Sequence, residues 1–368
     1  MRCRIILFIL FLSFSLGGRA QVINTATMDT VETTMIGHVG LGGYVDAYYG
    51  YNFGQPANGK TPYLVSSAQD NELTINLAYV DVRYRSKYMR VRFVPGFGTY
   101  MDANYKREPG SLKNMLEANV GVLISERRKI WIDAGVLGSP YTNESAISKD
   151  HLMYTRSLAP EYVPYYITGV KLSVPISEKV NTYLYLINGW QVIQDNNSGK
   201  SIGTQVEYRP NKIMLFNWDT YIGDERSSLN PEFRTRYFSD VYWIYKSGKK
   251  WSATSCFYAG VQARDGLSSA SWWQANFIGN YAFTENFSLS GRIEYFSDPS
   301  GVIVSPITGV SGFETAGYGA CANFQLHKLA MFRLEVRKFV SNDNLFEAKD
   351  GTSTSNSTIL MGSLTAWF

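Results

Sequence analysis

Residues 328–340 read KLAMFRLEVRKFV, and this stretch alternates between apolar and charged side chains. The two sets of positions form separate faces, with Ala330, Phe332, Leu334 and Val336 on one and Arg333, Glu335 and Arg337 on the other. A period of two residues is typical of a β-strand whose faces meet different surroundings. The stretch therefore predicts a strand with one apolar and one charged face.

The same alternation recurs along the chain and predicts sixteen strands. They cover residues 38–52, 72–84, 88–98, 113–124, 129–138, 164–175, 179–188, 201–209, 212–222, 234–245, 250–262, 270–283, 286–297, 313–325, 328–340 and 357–368. The phase of 72–84 is ambiguous, because Leu73, Ile75 and Leu77 compete with Val80 and Val82 for the apolar face. A β-bulge in this strand would explain both sets.

The connections between these strands alternate between short turns and long loops. Connections such as 85–87 and 210–211 are short, whereas those such as 53–71 and 139–163 are long. Hydrocarbon offers no partner to backbone N–H and C=O groups, so a sheet crosses a bilayer only as a closed barrel. Outer-membrane barrels have short periplasmic turns and long extracellular loops. The pattern predicts an all-β fold: a transmembrane antiparallel up-and-down β-barrel of about sixteen strands, with both termini in the periplasm.

The N-terminus has the features of an export signal. Residues 1–20 combine a basic start, an apolar run and small residues before a cleavage point after Ala20, as in a secretory signal peptide. Residues 21–37 are Thr-rich without a clear period and are interpreted as a periplasmic N-terminal segment, followed by the barrel at 38–368. The expected location is the bacterial outer membrane.

Composition and charge exclude other classes of protein. Aromatic residues make up 15% of the chain, which is too many for a disordered protein. Three of the 35 basic residues lie in the leader, so the rest of the chain has 32 basic and 31 acidic residues. This balance provides no basic surface for nucleic acid.

The last predicted strand ends the chain at Phe368, with apolar residues in the same phase before it. A final strand that closes on a terminal aromatic residue resembles the assembly signal of bacterial outer-membrane barrels. The barrel assembly machinery and outer-membrane lipid are therefore expected partners.

The charged phase of the strands would line the lumen, where rings of charge bias ion permeation. The candidates on strands are Arg90, Arg92, Asp133, Lys171, Glu207, Arg292, Glu294, Arg333, Glu335 and Arg337. Each could equally belong to a salt bridge that only stiffens the wall. The longest connection, 139–163, follows the fifth strand and carries Asp150 and Glu161. By position it resembles the loop that narrows general porins, although an exposed loop fits the sequence as well.

Two expectations concern the outer surface. Most of the eight Trp residues lie near predicted strand ends, which suits interfacial aromatic girdles. Phe332 lies on the predicted lipid face near the membrane midplane, where an Arg would cost ~2–4 kcal/mol.

Part of the chain resembles a known family. The stretches that carry the resemblance are IDAGVLGSP at 132–140, TRSL at 155–158, PYYITGVKLS at 164–173, INGWQVIQDNNS at 187–198, GTQVEYRPNK at 203–212 and RYFSDVYW at 236–243. Together they are similar to the putative outer-membrane β-barrel porin family of Bacteroidota. The resemblance implies outer-membrane placement and a porin-like role, but no particular solute and no catalytic residues.

The first hypothesis is a passive diffusion channel for small hydrophilic solutes, since barrels of sixteen to eighteen strands leave an aqueous lumen. The alternative is a structural or surface-binding barrel with a blocked lumen. A third hypothesis, an outer-membrane hydrolase, would need His151 to act with Ser148 and Asp150, and adjacent loop residues rarely reach that geometry. No enzyme activity, cofactor or metal is expected, and assembly into homo-oligomers is left open.

Overall fold

The computed structural model describes residues 34–36 and 38–368, except 196 and 198. The predicted signal peptide, residues 1–20, and most of the predicted segment 21–37 lie outside the described residues. Within that segment, Thr34–Ile36 forms a short strand that pairs antiparallel with the start of the first barrel strand.

All sixteen predicted strands are present, and each observed bound lies within two residues of the predicted one. They are β1 Val39–Asn52, β2 Glu72–Arg85, β3 Met89–Phe97, β4 Met115–Ser125, β5 Ile130–Gly138, β6 Tyr166–Pro175, β7 Val180–Ile187, β8 Ser201–Asn211, β9 Met214–Asp224, β10 Phe233–Lys246, β11 Trp251–Arg264, β12 Ala270–Ala282, β13 Phe287–Asp298, β14 Phe313–His327, β15 Ala330–Val340 and β16 Asn356–Trp367.

The elements between these strands are short. The helices α1 (Thr99–Asn104) and α2 (Leu158–Glu161) and the 3₁₀ turns Gly110–Asn114 and Ser148–Asp150 lie in loops. Phe346–Glu347 and Ser353–Thr354 pair with each other in the last loop. In the described part of the chain, no helix has the length and apolar character needed to cross a membrane.

The sheet closes on itself. Each strand pairs antiparallel with the next, and β16 pairs with β1 from Ile359↔Asn52 to Trp367↔Tyr44. Closure gives every barrel strand two hydrogen-bonded neighbours, which is what hydrocarbon requires of a spanning sheet. The predicted antiparallel up-and-down barrel is confirmed.

The two ends of the barrel differ in their connections. Short turns, such as 86–88 and 328–329, lie at one end, which we call the turn rim. Long loops, such as 53–71 and 299–312, lie at the other end, which we call the loop rim.

The predicted bulge in β2 is also confirmed. The pairing of β1 with β2 shifts between Asp46↔Leu77 and Ala47↔Ile75, so Asn76 is the extra residue. Leu73 and Ile75 on one side of Asn76 face outward, whereas Leu77 on the other side is buried. The extra residue therefore exchanges the two faces within a single strand.

The expectations about the outer surface hold only in part. Phe332 faces outward, but it is the third residue of β15 and packs near Phe324 close to the turn rim. Its predicted midplane position is wrong, and Val336 occupies the middle of that outer face. Trp218, Trp251 and Trp273 face outward as expected. In contrast, Trp272 is buried inside the barrel, where the interior aromatic side chains give it apolar partners.

The C-terminal residue packs on the seam that closes the barrel. The N–H of Phe368 donates to the Gly43 carbonyl, and the Gly43 N–H donates to the Phe368 carbonyl, both at 3.1 Å. The ring lies so close over Gly43 that a Cβ added there would overlap with it. Gly43 therefore leaves room for the terminal ring.

We expect Phe368→Ala to lower the amount of folded protein in the outer membrane, because the last strand loses the aromatic end that resembles the assembly signal. Molecules that do assemble should keep the wild-type conductance, since Phe368 is an exposed residue outside the lumen lining. The measurement is the folded fraction in outer-membrane preparations, with Phe368→Tyr as the control that keeps a ring. Normal levels of the alanine variant would contradict the prediction.

Candidate functional site

The loop between β5 and β6, residues 139–165, enters the barrel, and we call it the inner loop. Near its start, the Thr142 N–H donates to Asp240 of β10 at 2.9 Å. At its far point, Lys246, the last residue of β10 at the turn rim, donates to the Asp150 carbonyl at 3.1 Å. The inner loop thus reaches the turn rim from the loop rim, and of the two arrangements that the sequence allowed, the inward one is observed.

Buried carboxylates on the wall hold the backbone of this loop. Glu335 accepts the Thr155 N–H at 2.8 Å, and Glu294 accepts the Leu158 N–H at 2.6 Å. Hydrogen bonds to an ionised acceptor are about twice as strong as neutral ones. The loop is therefore attached to the wall formed by β10–β16 by charge-assisted bonds.

Five of the predicted lumen residues meet at this attachment, and we call them the loop clamp: Arg292, Glu294, Arg333, Glu335 and Arg337. Arg292 lies 3.2 Å from Glu294 and 3.0 Å from Glu335, and Arg337 lies 2.6 Å from Glu294. Arg333 donates to the Met153 carbonyl at 3.2 Å.

A glycine makes room for the loop clamp. A Cβ on Gly317, opposite Glu294 in the register of β13 and β14, would lie 2.6 Å from the Glu294 carboxylate. The carboxylates and guanidinium groups of the loop clamp are both buried. The stability of the clamp therefore depends on each carboxylate having a guanidinium partner.

Four other predicted residues form a second group on the opposite wall, the turn-rim cluster of Arg90, Arg92, Asp133 and Lys171. Arg90 makes a two-pronged contact with Asp133, at 2.6 and 2.5 Å, and Lys171 lies 3.6 Å from the same carboxylate. Arg92 lies 3.0 Å from Glu117. The sequence predicted these residues to face the lumen, and the structure places Arg90, Asp133 and Lys171 in one ion-pair group and Arg92 in a neighbouring one.

The remaining predicted residues lie apart from both groups. Glu207 accepts from Tyr183 and lies 3.2 Å from Arg209. Asp150 pairs with the neighbouring Lys149 at 3.1 Å. Glu161 accepts the N–H groups of Val65 and Ser66, which ties the inner loop to the first long loop.

Sequence reasoning missed three charged residues of the turn-rim wall. Asp81 lies 2.7 Å from Arg83 and 2.8 Å from Arg92, and Glu117 pairs with Arg92. Asp81 and Arg83 belong to β2, where the bulge at Asn76 reverses the phase. Reading the phase from Val80 and Val82, which face outward, would have placed both charges in the lumen.

The interior is less polar than the alternation suggested. Lumen-facing Tyr48, Tyr258 and Phe296 are buried together with Tyr154 and Leu158 of the inner loop. The loop brings apolar side chains into the barrel, and these require apolar partners on the wall. The inner loop therefore packs on its wall as a small hydrophobic core as well as through the loop clamp.

Open space remains on the other side of the inner loop. At the turn rim, a cavity of about 320 Å³ is lined by Arg90, Glu117, Lys171 and their neighbours on β2–β7. At the loop rim, a second cavity of about 410 Å³ is lined in part by Trp190 and Arg236.

A small space of about 30 Å³, which we call the neck, lies within the inner loop and is lined by Gly138 and by loop residues between Ser139 and Tyr165. It shares Gly138 with the turn-rim cavity and Val163 and Tyr165 with the loop-rim cavity. The neck is therefore a neighbour of both cavities, one at each rim.

Burial changes the acid–base character of two groups of the inner loop. Burial raises the pKa of the Glu144 carboxyl, although the nearby Arg292 guanidinium and bonds from Ser157 oppose the shift. Burial and the positive charge of Arg333 hold the pKa of the His151 imidazole well below its usual range. Ser148, its partner in the hydrolase hypothesis, is hydrogen-bonded to Tyr44 at 2.8 Å.

Comparisons with known proteins agree with this architecture. The model of the family described as putative beta-barrel porin-2, OmpL-like, matches residues 38–368. No curated protein matches the sequence.

Solved structures with the same fold include the outer-membrane channel DcaP of Acinetobacter baumannii, with 12% identity, a TM-score of 0.59, and coverage of 90% of this chain and 97% of that one. The anion-selective porin from Comamonas acidovorans has 9% identity and a TM-score of 0.58, covering 90% and 99%. The trimer form of OmpT from Vibrio cholerae has 10% identity and a TM-score of 0.57, also covering 90% and 99%. At these identities the likeness concerns the fold alone.

Proposed function

The chain belongs to the putative beta-barrel porin-2, OmpL-like family and is an outer-membrane porin, and from this premise we propose that small hydrophilic solutes cross it passively beside the inner loop. The observation that carries the proposal is a row of three spaces, in which the neck within the inner loop shares Gly138 with the turn-rim cavity and Val163 and Tyr165 with the loop-rim cavity. Passive transport along this row requires neither a cofactor nor an energy source.

The neck sets the size of the solute. A buried water needs roughly 10–15 Å³, so a neck of about 30 Å³ holds only about two waters at once. The two wider cavities act as vestibules on either side. Small ions and small polar solutes fit this geometry, whereas larger solutes would require the inner loop to leave its wall.

We also propose an orientation. Short turns are periplasmic and long loops extracellular in bacterial barrels, so the turn rim would face the periplasm, together with both termini. Residues 1–20 would be the signal peptide and 21–37 a periplasmic segment. Contact with outer-membrane lipid and with the barrel assembly machinery follows from this placement.

Assembly of several copies is a further part of the proposal. OmpT of Vibrio cholerae, which has the same fold, has a trimer form. On the outer face of β8–β11, an open apolar depression lined by Phe216, Trp218 and Phe257 would offer a contact surface within the membrane.

The test of the channel is electrical. Purified protein inserted into planar lipid bilayers should produce discrete conductance steps, small for a barrel of this size because the neck is narrow. Silence in several salts, with folding verified by heat-dependent migration in gels, would contradict the channel. That outcome would support the alternative, a barrel with a blocked lumen whose long loops bind at the cell surface.

A further inference from the structure

The cavity at the turn rim is lined by an excess of basic side chains. Six bases line it: Arg83, Arg85, Arg90, Arg92, Lys129 and Lys171. Two carboxylates, Glu117 and Asp133, line the same cavity. The whole chain is thus nearly neutral, but the lining of this part of the proposed path has an excess of positive charge.

The acids of this wall are shared between bases. Asp133 is contacted by both Arg90 and Lys171, and the fully buried Asp81 is contacted by both Arg83 and Arg92. Glu117 also pairs with Arg92, so these contacts join four bases to three acids, and one positive charge remains with all the ion pairs formed. A low-dielectric wall strengthens the field that such charges produce in the cavity.

The strands fix these charges in place. Arg90, Gly121, Asp133 and Lys171 lie in one cross-strand row through β3, β4, β5 and β6. Because Gly121 has no side chain, Arg90 reaches across it to Asp133, and a Cβ there would overlap with the Asp133 carboxylate. Trp131 supports the Arg90 guanidinium from 4.5 Å. The Arg90 and Lys171 side chains are therefore held in fixed positions at the cavity wall.

Several acids on the opposite wall act on the inner loop. Asp240, Glu294 and Glu335 each accept a backbone N–H from the inner loop. Glu294 and Glu335 also have guanidinium partners. The negative charges of these acids therefore lie against the inner loop, on the opposite wall from the turn-rim cavity. The fold separates the charges, with acids holding the loop and bases lining the space beside it.

The charge balance does not reverse along the rest of the path. The neck is lined by one base and one acid, Arg156 and Glu144. The loop-rim cavity is lined by the bases Lys106, Arg107 and Arg236 and by the acids Glu161 and Glu225. Among the described residues that line these spaces, no segment therefore carries net negative charge.

We propose that the pore is anion-selective and that the turn-rim cavity is a transient binding site for small anions. This inference rests on the proposed channel function and adds the class of solute to it. Chloride and inorganic phosphate are suitable probes, because both are small anions that guanidinium and ammonium groups bind without a shaped pocket.

Reversal potentials in a potassium chloride gradient across a planar bilayer test the proposal. The wild type should have a chloride-to-potassium permeability ratio above unity, and the excess should shrink as salt screens the wall charges. Lys129→Glu places a negative charge at the cavity mouth on an exposed turn, so the variant should fold, and its ratio should fall clearly. Lys171→Gln should lower the ratio as well, and should weaken the block of chloride current by added phosphate.

The matched control is Lys249→Glu, which makes the same charge change in an exposed turn at the same rim but outside the cavity lining. This variant should keep the wild-type ratio, and an equal loss of selectivity in it would overturn the assignment to the cavity. Conductance steps that favour potassium in the wild type would overturn anion selectivity but leave the channel intact. Absence of any steps would instead contradict the proposed function itself.

Discussion

Glu335→Ala should release part of the inner loop and raise the single-channel conductance severalfold. The Glu335 carboxylate is fully buried and holds the Thr155 N–H and hydroxyl, while Arg292 lies 3.0 Å away. Removing one partner of a buried ion pair costs about 3–5 kcal/mol, because the other charge is left without compensation. The barrel strands keep their backbone pairing, whereas this part of the loop depends on side-chain contacts. The loop is therefore the element expected to move and admit water.

Two measurements check this result together. Single-channel recordings should show larger steps, and thermal unfolding in detergent should show a lower transition temperature. Glu335→Gln should have a smaller effect on both, because an amide oxygen still accepts from Thr155. Glu285→Ala, an exposed acid in a turn, serves as the control and should change neither quantity. If the Glu335 alanine variant conducts like the wild type, the inner loop does not limit the current.

Val336→Arg should be the most damaging substitution on the outer surface of β15. Val336 lies in the middle of the strand, faces outward, and is flanked in register by Ala320 and Leu360. An Arg at the midplane of a barrel costs ~2–4 kcal/mol, because its charge must be placed in hydrocarbon. The free energy of unfolding in lipid vesicles, from a reversible denaturant titration, should fall by that amount.

The same substitution at Phe332 provides the comparison. Phe332 is on the same face of the same strand but close to the turn rim, where an Arg costs only ~0–1 kcal/mol because it reaches the headgroups. The difference between the two variants measures depth in the membrane directly. Equal losses at both positions would show that β15 crosses the bilayer at a different height.

Charge separation explains how a chain with almost equal numbers of acidic and basic residues can discriminate between ions. Selectivity depends on the charges next to the path and not on the total. In this barrel the inner loop packs against one wall, where carboxylates such as Glu294 and Glu335 accept hydrogen bonds from its backbone. The space that it leaves open lies against the wall that carries Arg90 and Lys171.

The sequence by itself determined the barrel. Alternation in stretches such as 328–340 assigns each side chain to lipid or lumen, because neighbouring residues of a strand point to opposite faces. The order of short and long connections then assigns each strand end to a rim. Both are local properties, which is why the strand bounds were predicted to within two residues, and why only the bulge at Asn76 obscured a phase.

Only the tertiary structure decided what the lumen charges do. Arg292 and Glu294 are only two residues apart in the chain, so their ion pair is local. In contrast, the contacts of Glu294 with Arg337 and of Arg90 with Asp133 each join residues 43 positions apart. These partners depend on strand register, on small residues such as Gly121, and on the inner loop folding inward. Register and loop placement follow from the packing of the whole barrel. Composition and periodicity along the chain therefore do not predict which charged residues become partners.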